Sequence, residues 1–458
     1  MLIKNAEVWQ RGSADLRVAG GRIAEIGSLS PLAGEAVIDA DGGALLPGLH
    51  DHHIHLAATA VRRQSIVCGP PEVRSIEQLA ERLQAAPGSG WLRGILYHES
   101  VGGLPDARAL DAICGERPLR IQHRSGRMWL FNSAGLDEVL RHAAAPPGLE
   151  TDGGRPTGRL FDEDTWLRSA LGGSPPDFGE VSRELAAFGV TGMTDMSPAN
   201  DRGTAAHFAA QQASGNLLQH VLLAGTLALG SGSAKLHLHE NALPVFDEVV
   251  AFIRAAHGQG RPLASHCTTE TELVFTLAAL AEAGPLRGDR IEHAGIARDA
   301  HIAQMADLGL AVVGQPHFIA ERGDQYLTDV EPELVPFLYR QASFLKAGIP
   351  LAAGSDAPFG STDPWAAMRA AMSRRTAGGA MIAEEEALSA EEALSLYLAD
   401  PNDLTRQRQI EVGASADFCL LNRPWLAARQ VMDSSLVRAT IIGGDLVHQA
   451  PGERFAGI

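Results

Sequence analysis

Pro47-Gly48-Leu49-His50-Asp51-His52-His53-Ile54-His55 puts four histidines and an aspartate into nine residues. Apolar residues lead into the stretch, which reads as a strand. Alternate side chains of a strand share a face, so Asp51, His53 and His55 point one way and His50 and His52 the other. Two imidazoles at i and i+2, at the C-terminal end of a strand, can reach one metal ion. The plainer alternative is a chance cluster among 17 histidines.

Working outward, seven more short apolar stretches follow, at 190–195, 217–223, 234–239, 262–266, 290–293, 310–315 and 350–355. Helical patterns lie between most of them, as at 271–283 and 299–308. Eight strands alternating with helices predict an α/β fold, a (β/α)8 TIM barrel over residues 48–412. The first connection is too long to be structureless and predicts an inserted subdomain, about 60–180, capping the barrel mouth. Both termini read as hairpins around Gly20-Gly21 and Gly443-Gly444, and predict a small composite β-sandwich from 1–47 and 413–458. A capping box, Ser389-Ala-Glu-Glu392, starts a late helix.

Composition narrows the function. The chain has 458 residues, 45 % apolar and 20 % charged, with 38 basic against 55 acidic residues and a net charge of −17. A large core is possible, and nucleic acid or an anionic membrane is excluded as the main partner. Cys68, Cys114, Cys267 and Cys419 show neither a disulfide framework nor zinc spacing. The N-terminus lacks a signal-peptide apolar region, and no apolar run is long enough to span a bilayer. The expectation is a cytoplasmic protein acting on a small molecule, a homodimer by base rate.

Other strand ends add to the first. The fifth ends in His266, the sixth in His293, the eighth in Asp356, and the fourth carries Lys235, His237 and His239. Barrel enzymes assemble their sites at these ends. Imidazole and carboxylate ligands suit zinc, and also manganese, iron or nickel. Lys235 is one of only three lysines. A buried ammonium beside cations is costly, whereas a lysine carbamate is an anion that can bridge two metals. The plainer reading is a salt bridge to Glu240.

Together these residues resemble the amidohydrolase superfamily, and within it the type-3 branch that includes the N-substituted formamide deformylases. The resemblance covers nearly the whole chain. It is carried by Pro47-Gly48…Asp51-His52-His53-Ile54-His55, Lys235, His266, Asp289-Arg-Ile-Glu-His293-Ala and Gly354-Ser-Asp356-Ala-Pro. It is carried further by the block 121–133 with its Trp129-Leu-Phe-Asn132-Ser, by Pro156-Thr-Gly-Arg159, and by Gly413-Ala-Ser-Ala-Asp417. The resemblance implies a two-metal site in a barrel. His53, His55 and Asp356 would bind the more buried ion, His266 and His293 the second, and carbamylated Lys235 would bridge them. It departs from the branch at Arg127, where a histidine is common, and at His239, where an acid is expected.

The implied reaction is hydrolysis of a non-peptide C–N bond in an amide, imide or formamide. Metal-activated hydroxide would attack, with Asp356 as general acid/base. His317, or a residue of the insert, is a candidate catalytic group at the oxyanion, and His317 and Arg322 are both candidates to hold a substrate carboxylate or carbonyl. Arg124, Arg127, Trp129 and Asn132 of the insert, with His239, are candidate substrate contacts. The same barrel could instead act on an ester or a carbon–halogen bond, or decarboxylate, since fold does not fix chemistry. A metal-free binding protein is the reading from another class.

Overall fold

The structure, a computed structural model, describes residues 1–70, 72–172 and 175–453. Residues 71, 173 and 174 of the expected insert, and 454–458 of the expected C-terminal half, lie outside the described residues. Two units are compact in themselves, Met1–Leu56 with Asp177–Ile458, and Ala57–Pro176.

The first unit is α/β. Each of the eight stretches expected to be extended holds a strand: β1 Leu49–Ile54, β2 Val190–Asp195, β3 His220–Leu223, β4 Ala234–His237, β5 Leu263–Cys267, β6 Arg290–His293, β7 Ala311–Gly314 and β8 Leu351–Ala353. They form a three-stranded parallel sheet, β3-β2-β1, and a five-stranded one, β4 through β8 in order. Backbone hydrogen bonds also cross between the two sets. Lys235 N donates to Gly225 O at 2.9 Å, Asp356 N to His53 O at 2.6 Å, and His55 N to Ala357 O at 2.8 Å. Strands β1, β2, β6 and β7 are buried along their whole length, as parallel strands covered on both faces are, and β1 and β6 thereby bury histidines and charged residues.

Five strands are shorter than expected, β1 and β7 by one residue at each end and β3, β4 and β8 for local reasons. Residues 217 and 218 give their N–H groups to Gln211 O and Ser182 Oγ, so β3 begins later. β4 stops at His237 because His239 opens a 3₁₀ turn, Glu240–Ala242. β8 stops before Gly354, where Ser355 N turns to the Asp51 carboxylate at 2.9 Å. Gly354 itself cannot carry a side chain, since a Cβ there would stand 2.2 Å from His53 N. Helices start where cap chemistry says they should. Thr269 with Glu272, and Ser389 with Glu392, close reciprocal capping boxes.

The two ends of the chain build one eight-stranded sheet. Its middle strand, Ala44–Pro47, pairs with Leu2–Val8 on one side and Phe418–Leu421 on the other. Ile3, Leu16, Leu45, Phe418 and Ile441 form its core. That strand runs through Gly48 straight into β1, so the terminal sheet anchors the strand that carries the histidines.

The second unit holds a six-stranded sheet in the order Leu149–Asp152, Arg155–Phe161, Met128–Phe131, Leu119–His123, Leu92–Tyr97, Ile66–Val67. Apolar cores pack against it, one around Leu79, Leu110 and Leu130, another around Trp129, Phe131 and Leu160.

Candidate metal centre

Strands β1, β4 and β5 with the residues that follow them, and the turn after β8, bring His53, His55, Lys235, His237, His239, His266 and Asp356 to one cavity of about 520 Å³. One ligand atom each from His53, His293 and Asp356 lie within 4.8 Å of one another, and all three residues are buried. Asp356 Oδ1 stands 3.3 Å from His53 Nε2 and 3.1 Å from His55 Nε2. The His266 ring centre is 4.5 Å from those of both His293 and His237.

The backbone is bent to make this cluster. His293 has φ 71° and Asp356 φ 49°, left-handed values uncommon for residues with a Cβ. Strain of that kind gathers at functional sites.

Two residues that the sequence reading left without a role orient the imidazoles. Glu292 Oε2 accepts from His53 Nδ1 at 2.5 Å, turning Nε2 toward Asp356. Gln315 Oε1 accepts from His293 Nδ1 at 2.7 Å, leaving Nε2 of that ring buried without a partner. A ligating histidine held through its other nitrogen by a carboxylate or amide is the usual outer arrangement of a metal site. The signal for Glu292 was present beside His293; Gln315 carried no signal before the strands were assembled.

The electrostatics fit a cation. Burial works against charge on Asp356, but His53, His55 and His293 outweigh it and hold its carboxyl well below the usual range. Burial drives His293 down to about 3 and His237 down to about 4, and it depresses His266 as well. Neutral imidazole is the ligating form. Lys235 is 6 % exposed, its Nζ has no hydrogen-bond partner, and burial lowers its pKa. A buried amine without a hydrogen-bond partner and the orphaned His293 Nε2 both suit a site that takes up metal.

Other expected site residues lie differently. His239 and Arg322 line the same cavity. His317 does not. It is 1 % exposed, and its Nε2 donates to Ser355 O at 2.9 Å under Gly360. His317 was expected to act at the oxyanion; in the structure its N–H bonds to the turn that carries Asp356. In the second unit, Trp129 is 5 % exposed within an apolar core and donates to Asp164 Oδ1 at 2.8 Å. Asn132 is fully buried. Its Oδ1 accepts from Leu119 N and Gly135 N, and its Nδ2 donates to Arg117 O. Both were expected as substrate contacts; in the structure packing and hydrogen bonds within the second unit engage them. Arg127 is exposed and paired with Asp162 at 2.7 Å. Arg124 lies at the turn after Leu119–His123, its N–H bonded to Tyr97 O.

Similar proteins agree with this geometry. N-substituted formamide deformylase of Arthrobacter pascens is 26 % identical over 520 aligned positions, covering 95 % of each chain. An uncharacterized metal-dependent hydrolase from Pyrococcus horikoshii OT3 superposes with a TM-score of 0.78 at 19 % identity, over 95 % of this chain and 99 % of that one. N-isopropylammelide isopropylaminohydrolase from Burkholderia multivorans ATCC 17616 has the same fold at a TM-score of 0.58 and 18 % identity, over 98 % of each. The family model described as "Amidohydrolase family" matches residues 36–448, a span that takes in every strand end of the cavity, and the chain belongs to that family.

Proposed function

We propose that this protein is a metal-dependent hydrolase that cleaves a non-peptide C–N bond, in a formamide, amide or imide. The observation that carries the reading is the trio of buried His53, His293 and Asp356, beside a cavity lined by Lys235 and four more imidazoles. His53, His55 and Asp356 would hold one divalent ion, and His266 and His293 a second. Zinc fits these ligands best, and manganese, iron or nickel fit as well. Lys235, as its carbamate, would bridge the two. The two parallel sheets then read as one closed (β/α)8 barrel with its site at the C-terminal ends.

When bound, the metal supplies a water of lowered pKa and charge stabilisation at the carbonyl oxygen. The chain's own residues do the rest. Asp356, held ionised, accepts the proton of the attacking water. It returns that proton to the leaving nitrogen, so the C–N bond breaks to a carboxylic acid and an amine. Glu292 keeps the His53 ring in place and His317 keeps the Asp356 turn in place. The similarity to a formamide deformylase favours formamides among the possible substrates.

The test is a panel of formamides, amides, imides, esters and carboxylic acids offered to metal-loaded protein. Turnover of the C–N compounds is expected. Turnover of esters or decarboxylation alone would replace the reading.

A further inference from the structure

The cavity has two unlike walls. Around the metal ligands it is polar. Away from them it is lined by Ile296, Phe318, Leu338, Tyr339 and Phe359, with Arg322 among them. Arg322 comes from the helix His317–Asp329, whose first turn also supplies Phe318. Its guanidinium lies 4.0 Å from the centre of the Phe318 ring, and its Nη2 donates to Phe359 O. Phe359 in turn sets its ring edge-on to His55, with centres 5.8 Å apart. The guanidinium thus stands one residue away from the ligand cluster, across an apolar surface.

No carboxylate of the described residues forms an ion pair with Arg322. Neighbouring acids are engaged elsewhere. Glu321 accepts from Ser361 N, and Asp324 from Thr376 Oγ1 and Gly378 N. Arg322 lines the cavity, and the hydrogen bond found for its guanidinium among the described residues is the one to Phe359 O. Leu338 and Tyr339, which pack in one cluster with Phe318, are held firmly. Arg374, fully buried, donates to Leu338 O, Tyr339 O and Ile382 O. A wall held by backbone carbonyls yields little, so a ligand must fit it rather than reshape it.

We propose that the substrate carries a carboxylate, and that Arg322 is the residue that selects it. The class is an N-acyl or N-formyl derivative of an amino acid with an apolar or aromatic side chain. The scissile carbonyl would face the ligand cluster, the side chain would lie on Phe318, Leu338 and Tyr339, and the carboxylate would take the guanidinium fork. A planar fork matches a carboxylate in two parallel hydrogen bonds, stronger than neutral ones. The inference rests on the proposed C–N hydrolase activity.

The experiment compares two substrates that differ only in that group, N-formylphenylalanine (both enantiomers) and N-formyl-2-phenylethylamine, on metal-loaded wild type. The expected kcat/KM ratio, acid over neutral, is about 10- to 100-fold for one enantiomer, the worth of a charge-assisted bond. In Arg322→Gln that ratio falls to about one, and in Arg322→Lys it recovers in part. Equal or better turnover of the neutral compound by wild type overturns the inference and leaves the hydrolase reading standing. So does an unchanged ratio in Arg322→Gln. Turnover of neither compound, nor of any other C–N substrate, by fully metallated protein overturns the hydrolase reading itself.

Discussion

Lys235 is the residue on which the two-metal reading turns. A buried amine whose pKa burial lowers is the form that reacts with carbon dioxide. Lys235→Ala is therefore expected to lose most activity and bind fewer ions, with short carboxylic acids restoring part of both. Full activity with full metal content in that variant, by elemental analysis and assay, would remove the bridge. Glu292 offers a milder test. Glu292→Gln keeps the shape beside His53 but weakens the hydrogen bond that aims the ring, and metal affinity should fall about 10- to 100-fold by competition with a chelator. An unchanged affinity would make Glu292 merely structural. At this scale the strand-end ligands were legible because period-two alternation and strand ends declare themselves locally. Gln315 and the burial of His317 were not, because both depend on which strand lies beside which.

At the scale of elements, the sequence placed all eight parallel strands and the terminal hairpins, since each is a short apolar run bounded by turn residues. For Trp129 and Asn132 of the insert it did not show the packing and hydrogen bonds that engage them, because a cap residue and a core indole look the same in one dimension as pocket residues. Trp129→Ala should accordingly cost about 3–5 kcal/mol of stability, measured by denaturant unfolding, rather than change substrate choice alone. A second element-level test lies where the terminal sheet meets β3. His220 Nε2 is 3.1 Å from Asp417 Oδ1, and this hydrogen bond holds His220 above its ordinary pKa of 6.5. The pair stabilises the fold fully below pH 6.5 and loses that contribution as pH rises through the raised value. His220→Gln should then destabilise more at pH 5.5 than at pH 8.5; an equal effect would show the pair to be unimportant.

At the scale of the whole molecule, acidic composition, a hydrolase family and an α/β frame fit together. The terminal sheet continues into β1, β1 supplies two imidazoles, and four other segments carry the rest of the proposed ligand set. None of the described helices is long and apolar enough to cross a membrane. The single most direct measurement is a titration of chelator-stripped protein with zinc, following both bound ion and hydrolysis of a formamide substrate. Activity is predicted to be absent at the start, to rise with bound zinc, and to level off between about one and two ions per chain, with added bicarbonate speeding the rise. Full hydrolysis by the stripped protein, or no uptake of zinc at all, would contradict the account.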